Sequence, residues 1–355
     1  MKKILVIQQK MIGDVLVSTI LCESIANAYP NEQIDYLIYE GTYDVFSENE
    51  KNYNIIPFKK EYRESKKALI RFAKELRNEN YDVIIDAYSK LESWIIVGLS
   101  TAPTKISFKK GISNFLYTHL VDRHETPTSN LGLVIEHRLK LLQPLGIEKK
   151  HIITTPHIRI TENEANNAKK MLIENGLQLN EPIAMLNIIG SGDNKTYPLE
   201  HMAKIVNEVA QHNVQILFNY LPKQKELAEK VLHFCKTETQ EKVFFNVLAG
   251  SLRSLLSILN ECSFVIGNDG GTMNMAKALN KPTFIIFSPW IEKKAWSTFE
   301  DGKKHISVHL NDYNPELFSS KTLKEIKKIN STLYTEFHPN YFKDSLNTFV
   351  KDNLR

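Results

Sequence analysis

Cysteine is scarce in this chain of 355 residues: Cys22, Cys235 and Cys262 lie far apart with no CxxC spacing. That excludes a disulfide framework, gives no zinc site, and fits a reducing cytoplasm. Charge of one sign is not in excess either, with 45 basic against 41 acidic residues and a net charge of +4. A balance that even excludes nucleic acid as a main partner and leaves any basic function local. The opening MKKILVIQQK loses its apolar run after Ile7, too soon for a signal-peptide core or a membrane span, and nothing later approaches eighteen apolar residues. Lasting membrane contact therefore has to be peripheral. No Asp-x-Asp pair occurs anywhere, so a common carboxylate arrangement for holding a divalent metal is missing.

What is present is a packed α/β chain. Hydrophobic residues make up 42% and charged residues 24% of it, a globular composition whose length fits two domains. Short apolar runs at Ile4 to Ile7, Ile34 to Tyr39, Val83 to Ile85 and Thr104 to Phe108 alternate with helical stretches, among them Ser65 to Arg77 and Leu91 to Leu99. Repeated βα units imply a parallel sheet covered on both faces. A helix is expected over Leu131 to Leu145, and His151 to Arg159 lacks helical period and reads as the linker. A second series of strands follows at Ile183 to Ile189, Val214 to Asn219, Val243 to Val247, Phe264 to Ile266 and Thr283 to Phe287. The last residues, Phe337 to Arg355, read as a helix with an apolar stripe. The expected organisation is one Rossmann-like domain over 1–155, a second over 156–335, and a terminal helix over 336–355 folding back onto the first domain.

In such proteins ligands bind beyond the carboxyl ends of the strands, and three loops there carry chemistry. Gln8 to Asp14 holds one glycine, Gly13, where a dinucleotide fingerprint needs three, which disfavours a nicotinamide dehydrogenase. Asp14 sits at the helix start, either as a cap or as a carboxylate able to act as a base, with Lys10 in the same loop. Gly190 to Pro198 joins a strand to a helix. Its small residues, Gly190 and Ser191 among them, free backbone amides beside the positive charge of Lys195, so it is either a flexible surface loop or a partner for a diphosphate leaving group. Phe264 to Thr272 runs from a strand through Asp269, Gly270, Gly271 and Thr272 into a helix. It reads as an anion site at a helix N-terminus with Asp269 accepting from sugar hydroxyls, or as a tight turn.

Taken in order, these segments resemble glycosyltransferase family nine, the ADP-heptose:lipopolysaccharide heptosyltransferases, along nearly the whole chain. Ile4 to Tyr36, Ser191 to Pro198 and above all Ala249 to Trp290, with Gly250-Ser251-Leu252, Asn268-Asp269-Gly270-Gly271 and Lys281-Pro282, carry the likeness. The resemblance implies a GT-B fold with two Rossmann-like domains facing a central cleft, and inverting transfer from a nucleotide sugar such as ADP-heptose to a lipopolysaccharide-type acceptor. It implies Asp14 as general base, Lys195 on the donor phosphate, and Asp269 with the following glycines on the donor. No metal and no cofactor are implied. Four segments depart from the family pattern. Tyr197 stands for tryptophan, Asn274 for histidine, Gln224 for a ribose-binding glutamate, and Ser288-Pro289-Trp290 for Gly-Pro-Thr. Another nucleotide sugar, or a non-catalytic nucleotide-sugar-binding protein on the same scaffold, remain the alternatives.

One local charge excess stands out. Lys59, Lys60, Arg63, Lys66, Lys67, Arg71, Lys74 and Arg77 face only Glu61, Glu64 and Glu75. Leu69, Phe72 and Leu76 at helical spacing point the bases outward, either to water or to an anionic membrane at the inner face of the inner membrane.

Overall fold

The structure is a computed structural model that describes residues 2–46 and 52–354. Arg355, the last residue of the expected terminal helix, lies outside the described residues. The chain divides into two compact units, Met1–Ile158 and Arg159–Arg355, at the end of the segment read as the linker.

In the first unit six parallel strands form, β1 (Lys3–Gln8), β2 (Gln33–Tyr39), β3 (Asn54–Phe58), β4 (Val83–Asp86), β5 (Thr104–Phe108) and β6 (His119–Val121), in the order β3-β2-β1-β4-β5-β6. Edge strands β3 and β6 were not expected: Pro57 interrupts the short run of β3, and β6 is three residues long with only Val121 buried. The central β1 pairs Val6 with Tyr36 on one side and Ile85 on the other, so Ile4 to Ile7 are buried on both faces. The helices are α1 (Ile12–Ala28), α2 (Lys60–Glu64), α3 (Lys66–Asn78), α4 (Leu91–Leu99) and α5 (Leu133–Lys140). Strand alternation divides the core. Leu5, Ile7 and Leu37 pack with Leu69 and Phe72 of α3 and Ile96 of α4, whereas Tyr36 points the other way and donates to the carbonyl of Val15 in α1 at 2.6 Å.

α5 is shorter than expected because Pro144 opens a separate 3-10 turn. Its Glu136 is almost completely buried and gathers the preceding loop. Nε2 of His124, the Thr128 amide and hydroxyl, and the Ser129 hydroxyl all bond to its carboxylate at 2.6–3.1 Å. Burial works against ionisation, but the bonds from Ser129, His124 and Thr128 outweigh it and hold the carboxyl at about 2.

The second unit has five parallel strands, β7 (Ile183–Asn187), β8 (Gln215–Asn219), β9 (Phe264–Asn268), β10 (Thr283–Ile286) and β11 (His305–Val308), ordered β11-β10-β9-β7-β8. Its helices are α6 (Glu162–Glu174), α7 (Leu199–Val209), α8 (Lys225–Phe234), α9 (Thr237–Gln240), α10 (Leu252–Glu261), α11 (Gly271–Ala278), α12 (Lys293–Trp296), α13 (Leu323–Lys328), α14 (Asn330–Glu336) and α15 (Lys343–Asp352). The expected strand over Val243 to Val247 reduces to a single bridge between Val243 and Ile216. The chain then turns so that Phe245 packs on the ring of Tyr220, 5.1 Å between centroids.

The terminal helix, expected to return to the first domain, belongs to the compact unit Arg159–Arg355. The apolar stripe of α15 lies within the second unit's own core, where Phe349 meets Phe264 and Phe284 at 5.7 and 5.6 Å and Phe342 meets Phe284 at 5.9 Å. Pro339 breaks the expected single helix into a 3-10 turn followed by α15. Phe349→Ala is expected to destabilise the protein by about 3–5 kcal/mol in denaturant unfolding, and a loss under about 1 kcal/mol would contradict this packing.

The clamp on α5 has a pH signature. The folded protein holds the Glu136 proton less readily than the unfolded chain, whose value is near 4.5. The resulting stability is complete above about pH 4.5 and is lost as pH falls toward about 2. Glu136→Gln is expected to lower stability at neutral pH and to flatten that part of the acid-unfolding curve. A variant curve superimposed on the parent's would refute the assignment.

Candidate functional site

In the first unit the loop after β1 delivers Asp14 into the first turn of α1, with Met11 in the cap position. Met11 carries a positive φ of 45°, a conformation that costs a non-glycine residue about 1–3 kcal/mol. Met11 makes no side-chain cap hydrogen bond. Asp14 meets the buried guanidinium of Arg138 from α5, Nη2 to Oδ1 at 3.3 Å. Arg138 also donates to the Ser18 hydroxyl at 2.7 Å and to Oε1 of Gln8 at 3.4 Å. Burial pushes the Arg138 guanidinium down and the charge of Asp14 opposes that push. The arginine thus needs a carboxylate beside it, and its fork fixes where the carboxylate stands.

More cations gather beside this pair. Arg123 lies over the ring of Phe108 at 4.0 Å, and Arg138 is 5.9 Å from the same ring. Burial lowers Arg123 to about 10, helped by the charge of Arg138. Lys110 donates to the carbonyls of Ser89 and Tyr88 at 3.0 and 3.4 Å, and burial with the neighbouring charges of Arg123 and Lys90 brings it down to about 8. Beneath it Asp86 is fully buried, accepting from the Ser89 amide and the Tyr117 hydroxyl at 2.7 Å each. Lys110 and Arg123 stand in no recognisable motif. The signal available was their position, after the carboxyl ends of β5 and β6.

In the second unit two asparagines at strand ends lock together. Asn187 donates to the Asn268 carbonyl at 2.8 Å and Asn268 donates to the Asn187 carbonyl at 2.9 Å. The other atom of each amide reaches outward: Oδ1 of Asn268 accepts from the Tyr197 amide at 2.7 Å, and Oδ1 of Asn187 accepts from Asn219 at 3.0 Å. Asn219 also donates to the Thr272 hydroxyl at 3.0 Å. Gly267 has φ +134°, and a Cβ there would meet the Asn187 carbonyl oxygen at 2.4 Å. Only glycine permits that approach.

The loop bearing Lys195 is held from several sides. The Asn194 carbonyl accepts from the Ser288 hydroxyl at 2.6 Å, the Trp290 indole at 3.0 Å and the Asn330 amide at 3.0 Å. A Cβ on Gly190 would strike the Lys195 carbonyl oxygen at 2.3 Å. With its main chain fixed, Lys195 extends Nζ to within 2.8 Å of Oδ2 of Asp269, and both side chains stay partly open to solvent. The flexible-loop alternative does not describe this segment.

Lys195, Asp269, Gly270, Gly271 and Thr272 therefore come together, and Gly190 supports the lysine from behind. Gln224 and Asn274, the other expected donor contacts, each have main-chain partners. Gln224 donates to the Gly190 carbonyl at 3.0 Å and accepts from the Leu221 amide at 2.9 Å, while Asn274 donates to the Gly270 carbonyl at 3.3 Å. Both amides brace the loops. Ser191 and Lys10 are exposed, and Gly13 is buried in the first turn of α1. The bulky Trp290 acts through its indole N–H on the lysine loop. Among the described residues no group of three or more His, Cys, Asp or Glu side chains is placed to hold a metal ion.

Comparison with known proteins matches this arrangement to one family. The model of glycosyltransferase family 9 (heptosyltransferase) matches residues 69–326. Lipopolysaccharide heptosyltransferase 3 of Escherichia coli (strain K12) is 25% identical over 300 residues, covering 79% of this chain and 83% of that protein. A solved family 9 glycosyl transferase from Veillonella parvula superposes with a TM-score of 0.71 at 19% identity, covering 94% of this chain and 97% of its own. The E. coli heptosyltransferase WaaC, solved with ADP-2-deoxy-2-fluoro heptose, superposes with a TM-score of 0.61 at 18% identity, covering 94% and 98%. With two parallel sheets on the GT-B plan and the family model spanning most of its length, this chain belongs to glycosyltransferase family 9 and is a glycosyltransferase.

Proposed function

We propose that this enzyme moves a heptose or related sugar from a nucleotide diphosphate donor, most simply ADP-heptose, to a lipopolysaccharide core or lipid-linked acceptor, inverting the anomeric carbon without a metal. The observation that carries the reading is the Lys195 amine, fixed 2.8 Å from Asp269 beside the glycines that open α11. In this reading the diphosphate meets Lys195 and the free amides of the Gly270-Gly271 turn, and Asp269 and Thr272 take hydroxyls of the donor. Asp14 accepts the proton of the acceptor hydroxyl as its oxygen bonds to the anomeric carbon. The bond from that carbon to the diphosphate oxygen breaks, and the electron pair leaves on the nucleotide, where Lys195 meets the growing charge. The cations Lys110, Arg123 and Arg138 suit anionic groups of a lipopolysaccharide-type acceptor.

The reading is supported by the names of the relatives and by the heptose analogue bound to WaaC. The three cysteines are free and buried, in keeping with work in the cytoplasm at the inner face of the inner membrane. A different nucleotide sugar is the second reading, favoured because Gln224 and Asn274 use their amide nitrogens on main-chain carbonyls.

Slow hydrolysis of a panel of nucleotide sugars separates these readings, and ADP-heptose is expected to turn over fastest. Asp14→Asn is expected to lower kcat of transfer by about 10²–10⁴-fold with donor affinity nearly unchanged. Unchanged kcat would remove Asp14 from the mechanism. Transfer is expected to survive chelator, and activity lost to chelator and restored by a divalent cation would overturn the metal-free route.

A further inference from the structure

The first unit carries an apolar feature that its fold does not use. Between β5 and β6 a short turn exposes Ile112 and Phe115 at 83% and 84%, the highest values among the large hydrophobic side chains of the described residues. The turn is well tied down. Asn114 accepts from the Lys110 amide at 2.9 Å, the Asn114 amide donates to the Gly111 carbonyl at 3.0 Å, and the Leu116 amide donates to the Ser113 carbonyl at 3.1 Å. Gly111 supplies the left-handed residue, φ +74°, that the turn requires. Leu116 packs inward against the cluster holding Phe72 and Ile96. Its neighbours Ile112 and Phe115 are thus presented outward by a fixed backbone.

The same cluster identifies what lies alongside. α2, α3 and α4 share it, so the turn and these helices cover one face of the first sheet. On α3 the residues Leu69, Phe72 and Leu76 point into the cluster, and the eight bases between Lys59 and Arg77 are all exposed, against three glutamates over the same residues. One face of this unit therefore combines a protruding apolar pair with a surplus of positive charge.

We propose that this face seats the enzyme on an anionic lipid bilayer, with Ile112 and Phe115 entering the headgroup and acyl boundary and the α2 and α3 bases lying over the lipid charge. Two apolar side chains on a narrow turn offer little area for a protein partner, which needs roughly 800 Å² a side. A bilayer accepts isolated apolar tips, and basic residues nearby add attraction to anionic headgroups. The idea deepens the proposed lipid-borne acceptor and takes its purpose from that reading. Its test uses neither donor nor acceptor, so its failure leaves the transfer reaction standing.

The full chain is sedimented with vesicles of phosphatidylcholine alone and of phosphatidylcholine with phosphatidylglycerol, over a salt series. Preferential binding to the anionic vesicles, weakening with salt, is expected. The double variant I112S and F115S is expected to lose about tenfold or more in partitioning, and the triple variant K66E, K67E and K74E to lose its preference for anionic vesicles. Both keep the parent's thermal unfolding and donor hydrolysis, since every altered side chain is exposed. Equal binding to both vesicle types, or full binding by the I112S and F115S variant, would overturn the proposal.

Discussion

The second unit of this enzyme depends on one interlock, in which Asn187 and Asn268 each donate to the other's main-chain carbonyl. Two neighbouring strands are thereby tied beyond the reach of their regular ladder. The outward atoms of the same amides fix the start of the lysine loop at Tyr197 and, through Asn219, the first turn of α11 at Thr272. Such a network stays in place because all its buried groups have partners, and removing one member strands another. The ion pair of Lys195 and Asp269 is its visible product.

The first unit solves a different problem. A buried arginine is tolerated only beside a carboxylate and good acceptors, and Arg138 finds them in Asp14, Gln8 and Ser18. The cost of burying the guanidinium is offset by the residue proposed as the base. Glu136, two residues earlier on α5, clamps that helix to its own loop. Placement of Asp14 thus traces back through Arg138 to a helix anchored by a second buried carboxylate.

Much of this was legible in the residues. The central strands announced themselves as unbroken apolar runs, and the glycine-flanked loops after β7 and β9 marked the positions of Lys195 and Asp269. Edge strands β3, β6 and β11 were not visible, because Pro57 interrupts β3, β6 is three residues long and largely exposed, and the buried His305 and Ser307 break the apolar run of β11. The terminal helix was recognised as apolar on one side, but an apolar stripe does not name its partner, and Phe264 and Phe284 of the second unit took it. The hydrogen bonds of Gln224 to the Gly190 carbonyl and of Asn274 back to the Gly270 carbonyl at the start of its own helix were not visible, because no motif announces them. Arg138 and Arg123 escaped notice because arginines outside a motif look like surface residues until the fold buries them.

The central claim is that the asparagine interlock holds a lysine ready for the diphosphate. Calorimetric titration of ADP and of adenosine into the parent and Lys195→Met tests it most directly. The account expects ADP affinity to fall by about tenfold to a hundredfold in the variant, the range for one charge-assisted hydrogen bond, with adenosine affinity unchanged. Equal ADP affinity in the two proteins, or an equal loss for adenosine, would contradict it.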